Sequence, residues 1–147
     1  MLNPDYRDML SAFANAGVEY LVIGAYALAA HGHPRATGDL DLWVRPTASN
    51  AQRVLDALRA FGAPMSSLSP NDFTHVDRVL QLGIAPRRID ILTSIDGVAF
   101  ADAWPERLNL TLDGILTPVL SRRHLIKNKA ALGRPQDLAD IERLRQS

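Results

Sequence analysis

Cysteine is absent from the 147 residues. That removes disulfides, thiolate nucleophiles and Cys-ligated zinc together. An excess charge is missing as well: 16 basic residues balance 16 acidic ones, for a formal net charge of zero. Binding nucleic acid through bulk electrostatics calls for a positive excess, so that mode is disfavoured and only a local basic patch is left open. No apolar run is long enough to span a bilayer; the longest, residues 20–30, contains Gly24. Asp5 and Asp8 precede any apolar segment, so no signal peptide is expected and the expected setting is cytoplasmic, without a membrane partner. Internal repeats and low-complexity segments are not seen. Lysine is scarce: Lys127 and Lys129 stand against fourteen arginines. A genome that favours arginine codons explains this; the alternative is that lysine is kept where a compact ammonium matters.

What is present is globular in composition, 47% hydrophobic and 22% charged. The length suits one domain over residues 1–147, with 121–147 as a C-terminal helical segment. Asn3-Pro4 reads as a helix start, followed by Met9, Leu10, Phe13 and Ala14 at helical spacing and stopped by Gly17. Tyr20 to Ile23 reads as a buried strand, broken by Gly24, with a helix from Ala25 to His31. Asp39 to Val44 alternates strictly, with Leu40, Leu42 and Val44 facing one way and Asp39, Asp41 and Trp43 the other. Thr47 or Ser49 caps a helix to about Phe61, with Val54, Leu55, Leu58 and Phe61 inward. Residues 62–74 are rich in Pro, Ser and Asn and read as a loop. Strands are expected at Arg78–Leu82 and Arg87–Leu92 around a turn at 84–86, then a short helix near Val98–Trp104. A hairpin through Asp113-Gly114 and two closing helices, Ser121–Leu132 and Pro135–Arg145, complete the chain. The sum is an α/β or α+β domain: a mixed twisted sheet with helices packed on it.

Asp39 and Asp41 are two apart on a strand, so both carboxylates leave one face. Like charges side by side repel. A divalent cation between them reverses the sign, because hard cations take carboxylate oxygens. Asp90, inside Arg88-Ile89-Asp90-Ile91-Leu92, has the same apolar setting. If the strands are adjacent, three carboxylates converge and can hold two magnesium ions roughly 3.5–4 Å apart, the geometry of in-line displacement at phosphorus. Asp-x-Asp is also common on solvated strand faces, and Asp90 is as easily an ion-pair partner of Arg87 or Arg88.

Upstream, Leu21-Val22-Ile23-Gly24-Ala25 reads as strand, tight turn and helix start, where free N–H groups favour a phosphate and Gly24 permits close approach; a plain turn is the alternative. Arg35 and Thr37 directly precede Asp39 and could bind a phosphate or an acidic neighbour. His31 and His33 invite a metal reading but lack further ligands. Arg87, Arg88, Arg122 and Arg123 could form the local basic patch.

Gly24-Ala25, then Arg35-x-Thr37-x-Asp39-x-Asp41, then Asp90 in a later strand, resembles the nucleotidyltransferase superfamily that includes DNA polymerase beta. Within it, small bacterial members related to abortive-infection and toxin–antitoxin systems are similar, and they carry a C-terminal Leu-Ile-x-x-Lys-x-Ala-x-x-Arg-x-x-Asp-x-x-Asp segment. Here that segment is Leu125, Ile126, Lys129, Ala131, Arg134, Asp137 and Asp140. The resemblance covers roughly residues 18–45, the strand around Asp90 and 121–144. It implies a nucleotidyltransferase-like fold and magnesium-dependent transfer of a nucleoside monophosphate from an NTP to a hydroxyl or phosphate acceptor on a tRNA or other RNA, a protein or a small molecule. Asp39 and Asp41 would bind both metals, and Asp90 would complete the site. Gly24 and the Ala25 N–H would hold the triphosphate tail, and Lys129 would approach the phosphates. Many members have Gly-Ser or Gly-Gly where this chain has Gly24-Ala25, which removes a hydroxyl but keeps the backbone donor. The resemblance also leaves a second role open: a weakly active or inactive subunit that binds a cognate toxin or antitoxin protein.

Overall fold

The computed structural model describes residues 2–34, 38–84 and 87–146. Its helices are α1 (Pro4–Ala16), α2 (Gly24–Ala30), α3 (Ala48–Phe61), α4 (Phe100–Ala103), α5 (Arg122–Leu132) and α6 (Pro135–Arg145). Its strands are β1 (Tyr20–Ile23), β2 (Leu40–Val44), β3 (Val79–Leu82), β4 (Ile89–Leu92), β5 (Leu108–Leu112) and β6 (Ile115–Val119), in the order β3-β4-β2-β1-β6-β5. The sheet is mixed: β2–β4 and β1–β6 run parallel, and the other neighbours are antiparallel. This is the α+β arrangement that the element order implies.

Local chemistry sets the element ends. Asn3 accepts the Tyr6 N–H and Pro4 opens α1; Gly17, at φ 71°, closes it. Thr47, not Ser49, caps α3. Asp113 and Gly114 take φ 49° and 81°, the left-handed pair that a two-residue hairpin requires.

The alternation in β2 sorts the molecule into two faces. Tyr20 stands opposite Val44 in the β1–β2 register and meets Phe13 of α1 edge-on, 5.0 Å between ring centroids. Tyr20, Val22, Leu40, Leu42 and Val44 therefore share the face that α1 covers, and all are buried. The opposite face carries Leu21, Ile23, Asp41 and Trp43. Trp43 is buried there under Phe100, 5.0 Å away and edge-on. One end of the acidic face is thus capped by α4, and the carboxylates occupy the other end.

Two expectations change in detail. Residues 62–74 are not all loop: Pro70–Phe73 forms a 3-10 turn in which Ser69 and Asp72 cap one another, and Phe73 is buried. Ala14 is exposed, and Ala12 takes the inward position on α1. Leu125 of α5 and Leu144 of α6 join the same hydrophobic cluster as the sheet. Among the described residues no helix is long and apolar enough to cross a membrane.

Candidate active site

β2 and β4 lie side by side and parallel, with Asp41 in register with Asp90. Residues in register point to the same side of a sheet, so the two carboxylates are neighbours. Asp39, just before β2, joins them through Arg88. The Arg88 Nε donates to Asp90 Oδ1 at 2.7 Å and its Nη2 donates to Asp90 Oδ2 at 3.1 Å. The same Nη2 lies 3.3 Å from Asp39 Oδ2, and the Arg88 backbone N–H donates to Asp39 Oδ1 at 3.2 Å. The two sequence readings of Asp90, acid-cluster member and arginine partner, are thus both realised.

Among the described residues, three carboxylates face one guanidinium, and Asp41 registers the excess negative charge. Its carboxyl is pushed up to about 6, first by burial and then by the charges of Asp90 and Asp39, with Arg88 pulling the other way. Gly24 makes the crowding possible. It sits at φ 66°, and a Cβ there would come within 2.3 Å of Asp41 Oδ2. No side chain fits between the β1–α2 turn and this carboxylate.

Asp41 and Gly24 also line a cleft of about 310 Å³. Its far wall is Leu125, Asn128, Lys129 and Leu132 of α5 with Arg134 beyond, and its floor includes Leu92, Ser94, Ile95 and Asp96. The wall is anchored. Asn128 Nδ2 donates to the Asp96 carbonyl at 2.9 Å, and Gly97 lies so close to α5 that a Cβ would meet the Ala131 Cβ at 2.7 Å. Lys129 is buried, and its ammonium donates to Asp140 Oδ2 at 2.9 Å with Asp137 Oδ1 at 3.6 Å. The anion that this lysine requires is therefore supplied by α6. Arg134 forks onto Asp137 at 2.6 and 3.1 Å and holds its carboxyl below the usual range. Lys127 is exposed on the opposite side of α5.

The structure thus brings Asp39, Asp41 and Asp90 together, and it places Gly24 and Lys129 on one cleft with Asp41. Ala25 follows Gly24 in the first turn of α2 but is not part of the cleft lining. Arg35 and Thr37 lie outside the described residues. The His31 ring shares a hydrogen bond with the Leu120 carbonyl at 2.8 Å, which ties α2 to the end of β6. Two members of the expected basic patch are engaged with acids: Arg88 with Asp39 and Asp90, and Arg123 with Glu106. Sequence reasoning did not single out Asn128; its place one residue before Lys129 was the available signal.

The donor set suits a hard divalent cation, since the carboxylate oxygens at the site come from three aspartates. Among the described residues, however, no trio of His, Cys, Asp or Glu stands ready-arranged around one point. Arg88 takes up the oxygens of Asp39 and Asp90 that such a cage would use.

No protein-family model matches the chain, and no curated protein matches it. Solved structures do. A candidate nucleotidyltransferase from Thermotoga maritima superposes with a TM-score of 0.60 at 19% identity, over 99% of this chain and 96% of that one. An antigenic nucleotidyltransferase-like protein from Paracoccidioides brasiliensis gives 0.53 at 19% identity, over 95% of this chain and 74% of that one. The fold is therefore nucleotidyltransferase-like.

Proposed function

We propose that the protein is a magnesium-dependent nucleotidyltransferase that moves a nucleoside monophosphate from an NTP to an acceptor hydroxyl. The acceptor oxygen would bond to the α-phosphorus, the bond from that phosphorus to its β-bridging oxygen would break, and pyrophosphate would leave. One observation carries this reading: Asp41 and Asp90 in register on adjacent parallel strands, with Asp39 joined to them and a cleft opening beside Asp41. A nucleotidyltransferase-like fold supports it independently.

Asp39, Asp41 and Asp90 would hold the magnesium ions, which when bound would lower the pKa of the attacking hydroxyl and neutralise charge on the leaving pyrophosphate. Every other role falls to the chain. Gly24 offers backbone close to Asp41, where the triphosphate tail would pass, and the Ala25 N–H would donate to that tail. The cleft's apolar residues, Ile95, Leu125 and Leu132, would take the nucleoside. Lys129 would bring positive charge to the phosphates from a position fixed by Asp140. Asp90 would help to draw the proton from the acceptor.

The test is incubation with α-labelled ATP, GTP, CTP and UTP, magnesium, and cellular RNA or protein as acceptor. Label transferred by the native chain and lost in Asp41→Asn is the expected result. Metal-dependent NTP binding without any labelled product would instead favour the non-catalytic binding subunit.

A further inference from the structure

We propose that Arg88 is a built-in counter-cation of the acidic centre, which a divalent ion must displace before it can bind. The proposal rests on the reading of Asp39, Asp41 and Asp90 as metal-binding acids. Its own basis is how completely Arg88 engages two of them.

Both oxygens of Asp90 accept from the Arg88 side chain, at 2.7 and 3.1 Å. Both oxygens of Asp39 also lie against Arg88, one on its backbone N–H at 3.2 Å and one on Nη2 at 3.3 Å. The planar fork suits this task, because it meets carboxylates in two directions at once. Asp41 stands outside the fork. A divalent ion coordinated by all three aspartates needs oxygens that the guanidinium already covers, so ion and guanidinium compete for the same lone pairs.

The exchange is mechanically simple. The Arg88 main chain is pinned: its carbonyl accepts from the Leu40 N–H at 3.0 Å and from the Tyr6 hydroxyl at 3.2 Å. Its side chain is not enclosed, with about a third (32%) of its surface exposed. Rotation of the side chain therefore releases both Asp90 oxygens and Asp39 Oδ2 without moving β4. A free ion gains three carboxylates but must break the fork and return the guanidinium to water. An ion arriving on a triphosphate brings phosphate oxygens of its own, and these offer the displaced guanidinium a new anion. Arg88 thereby makes metal binding depend on nucleotide: it weakens capture of the ion alone and is compensated when ion and NTP arrive together.

The experiment is a Mn²⁺ titration of the full chain without nucleotide, with free Mn²⁺ read by electron paramagnetic resonance. Wild type, Arg88→Gln and Arg88→Lys are compared, each with and without Asp41→Asn as a marker of the site. Circular dichroism checks that each variant is folded. Removing a cation from beside three carboxylates should tighten Mn²⁺ binding by about tenfold in Arg88→Gln. Arg88→Lys should fall between, since an ammonium cannot reproduce the fork. If Arg88→Gln is unfolded at the assay temperature, Arg88→Lys against wild type decides. Equal or weaker Mn²⁺ binding in the folded Arg88 variants, still lost with Asp41→Asn, overturns the role of Arg88 alone. Absence of any Asp41-dependent Mn²⁺ binding, in wild type and variants alike, overturns the metal site and this proposal with it.

Discussion

Two clusters of charge border the same cleft, and they are built to opposite rules. The C-terminal cluster pairs two cations, Lys129 and Arg134, with two acids, Asp137 and Asp140. Among the described residues, the β-sheet cluster sets three acids, Asp39, Asp41 and Asp90, against Arg88 alone. Burial raises the carboxyls of both and is the first cause at Asp41, yet Asp137, only 1% exposed, is nonetheless held low. Charge balance makes the difference. Asp137 is held below the usual carboxylate range, chiefly by its hydrogen bond from Arg134, whereas Asp41 is pushed up to about 6. A balanced buried cluster is a fixture of the fold. An unbalanced one is stable only marginally by itself and is suited to a ligand that completes it.

The largest expected effect breaks the balanced cluster. Among the described residues, Asp140→Ala leaves the buried Lys129 ammonium only Asp137, at 3.6 Å, as an anionic partner. Removing one partner of a buried pair costs about 3–5 kcal/mol, so urea unfolding should show a loss of that order. A midpoint equal to wild type would mean that the cluster holds nothing in place.

The unbalanced cluster should respond to pH in the other sense. The Asp41 carboxyl ionises near its ordinary 3.8 in the unfolded chain and at about 6 in the folded one. Between those values the folded protein binds more protons, so stability falls as pH rises through the window, by on the order of 3 kcal/mol. Asp137 runs opposite: its stabilising contribution is present above 3.8 and is lost as pH falls through its lowered folded value. Urea unfolding between pH 3 and 8 should therefore show Asp41→Asn more stable than wild type above pH 6, with the gap closing toward pH 4. A constant gap would contradict the assignment of the strain to Asp41.

A smaller effect is expected at the turn that abuts the acids. Gly24→Ala puts a side chain into left-handed backbone at φ 66° and against Asp41 Oδ2. The backbone conformation alone costs roughly 1–2 kcal/mol. Metal-dependent NTP binding should weaken as well, because Asp41 must move. Calorimetric titration with ATP and magnesium separates that loss from the loss of stability.

How far these clusters could be read in advance differs for a physical reason. The strict alternation of Asp39 to Val44 reveals both the strand and the acidic face, because side-chain direction follows period two locally. Asp90 is legible for the same reason; that it pairs with Arg88 while standing in register with Asp41 is seen only in the structure. The pairing of Lys129 with Asp140 depends on how α5 crosses α6. Helical spacing does place Lys129 inward and Lys127 outward, but not which anion Lys129 meets; Asp137 and Asp140 read equally well as helix N-terminal charges. Burial of Trp43 under Phe100 likewise depends on a helix far along the chain. Phe73 was hidden in a stretch whose Pro, Ser and Asn content signals loop.

The smallest expected effect concerns the two lysines. Lys127→Ala should leave NTP affinity nearly unchanged, since Lys127 is exposed away from the cleft, whereas Lys129→Ala should weaken it several-fold by removing charge from the cleft wall. Lys129→Arg should restore it only in part. Equal affinities in the two alanine variants, measured by titration with ATP and magnesium, would confine Lys129 to holding α6.

The most direct measurement is the melting temperature of wild type and Asp41→Asn with ATP alone, magnesium alone and both together. A ligand that binds only the native state raises the melting temperature by mass action. ATP with magnesium should raise that of wild type well above either component alone, and Asp41→Asn should fold but lose this joint increment. A joint increment of equal size in Asp41→Asn would contradict the assignment of the acidic cluster as the metal–nucleotide site.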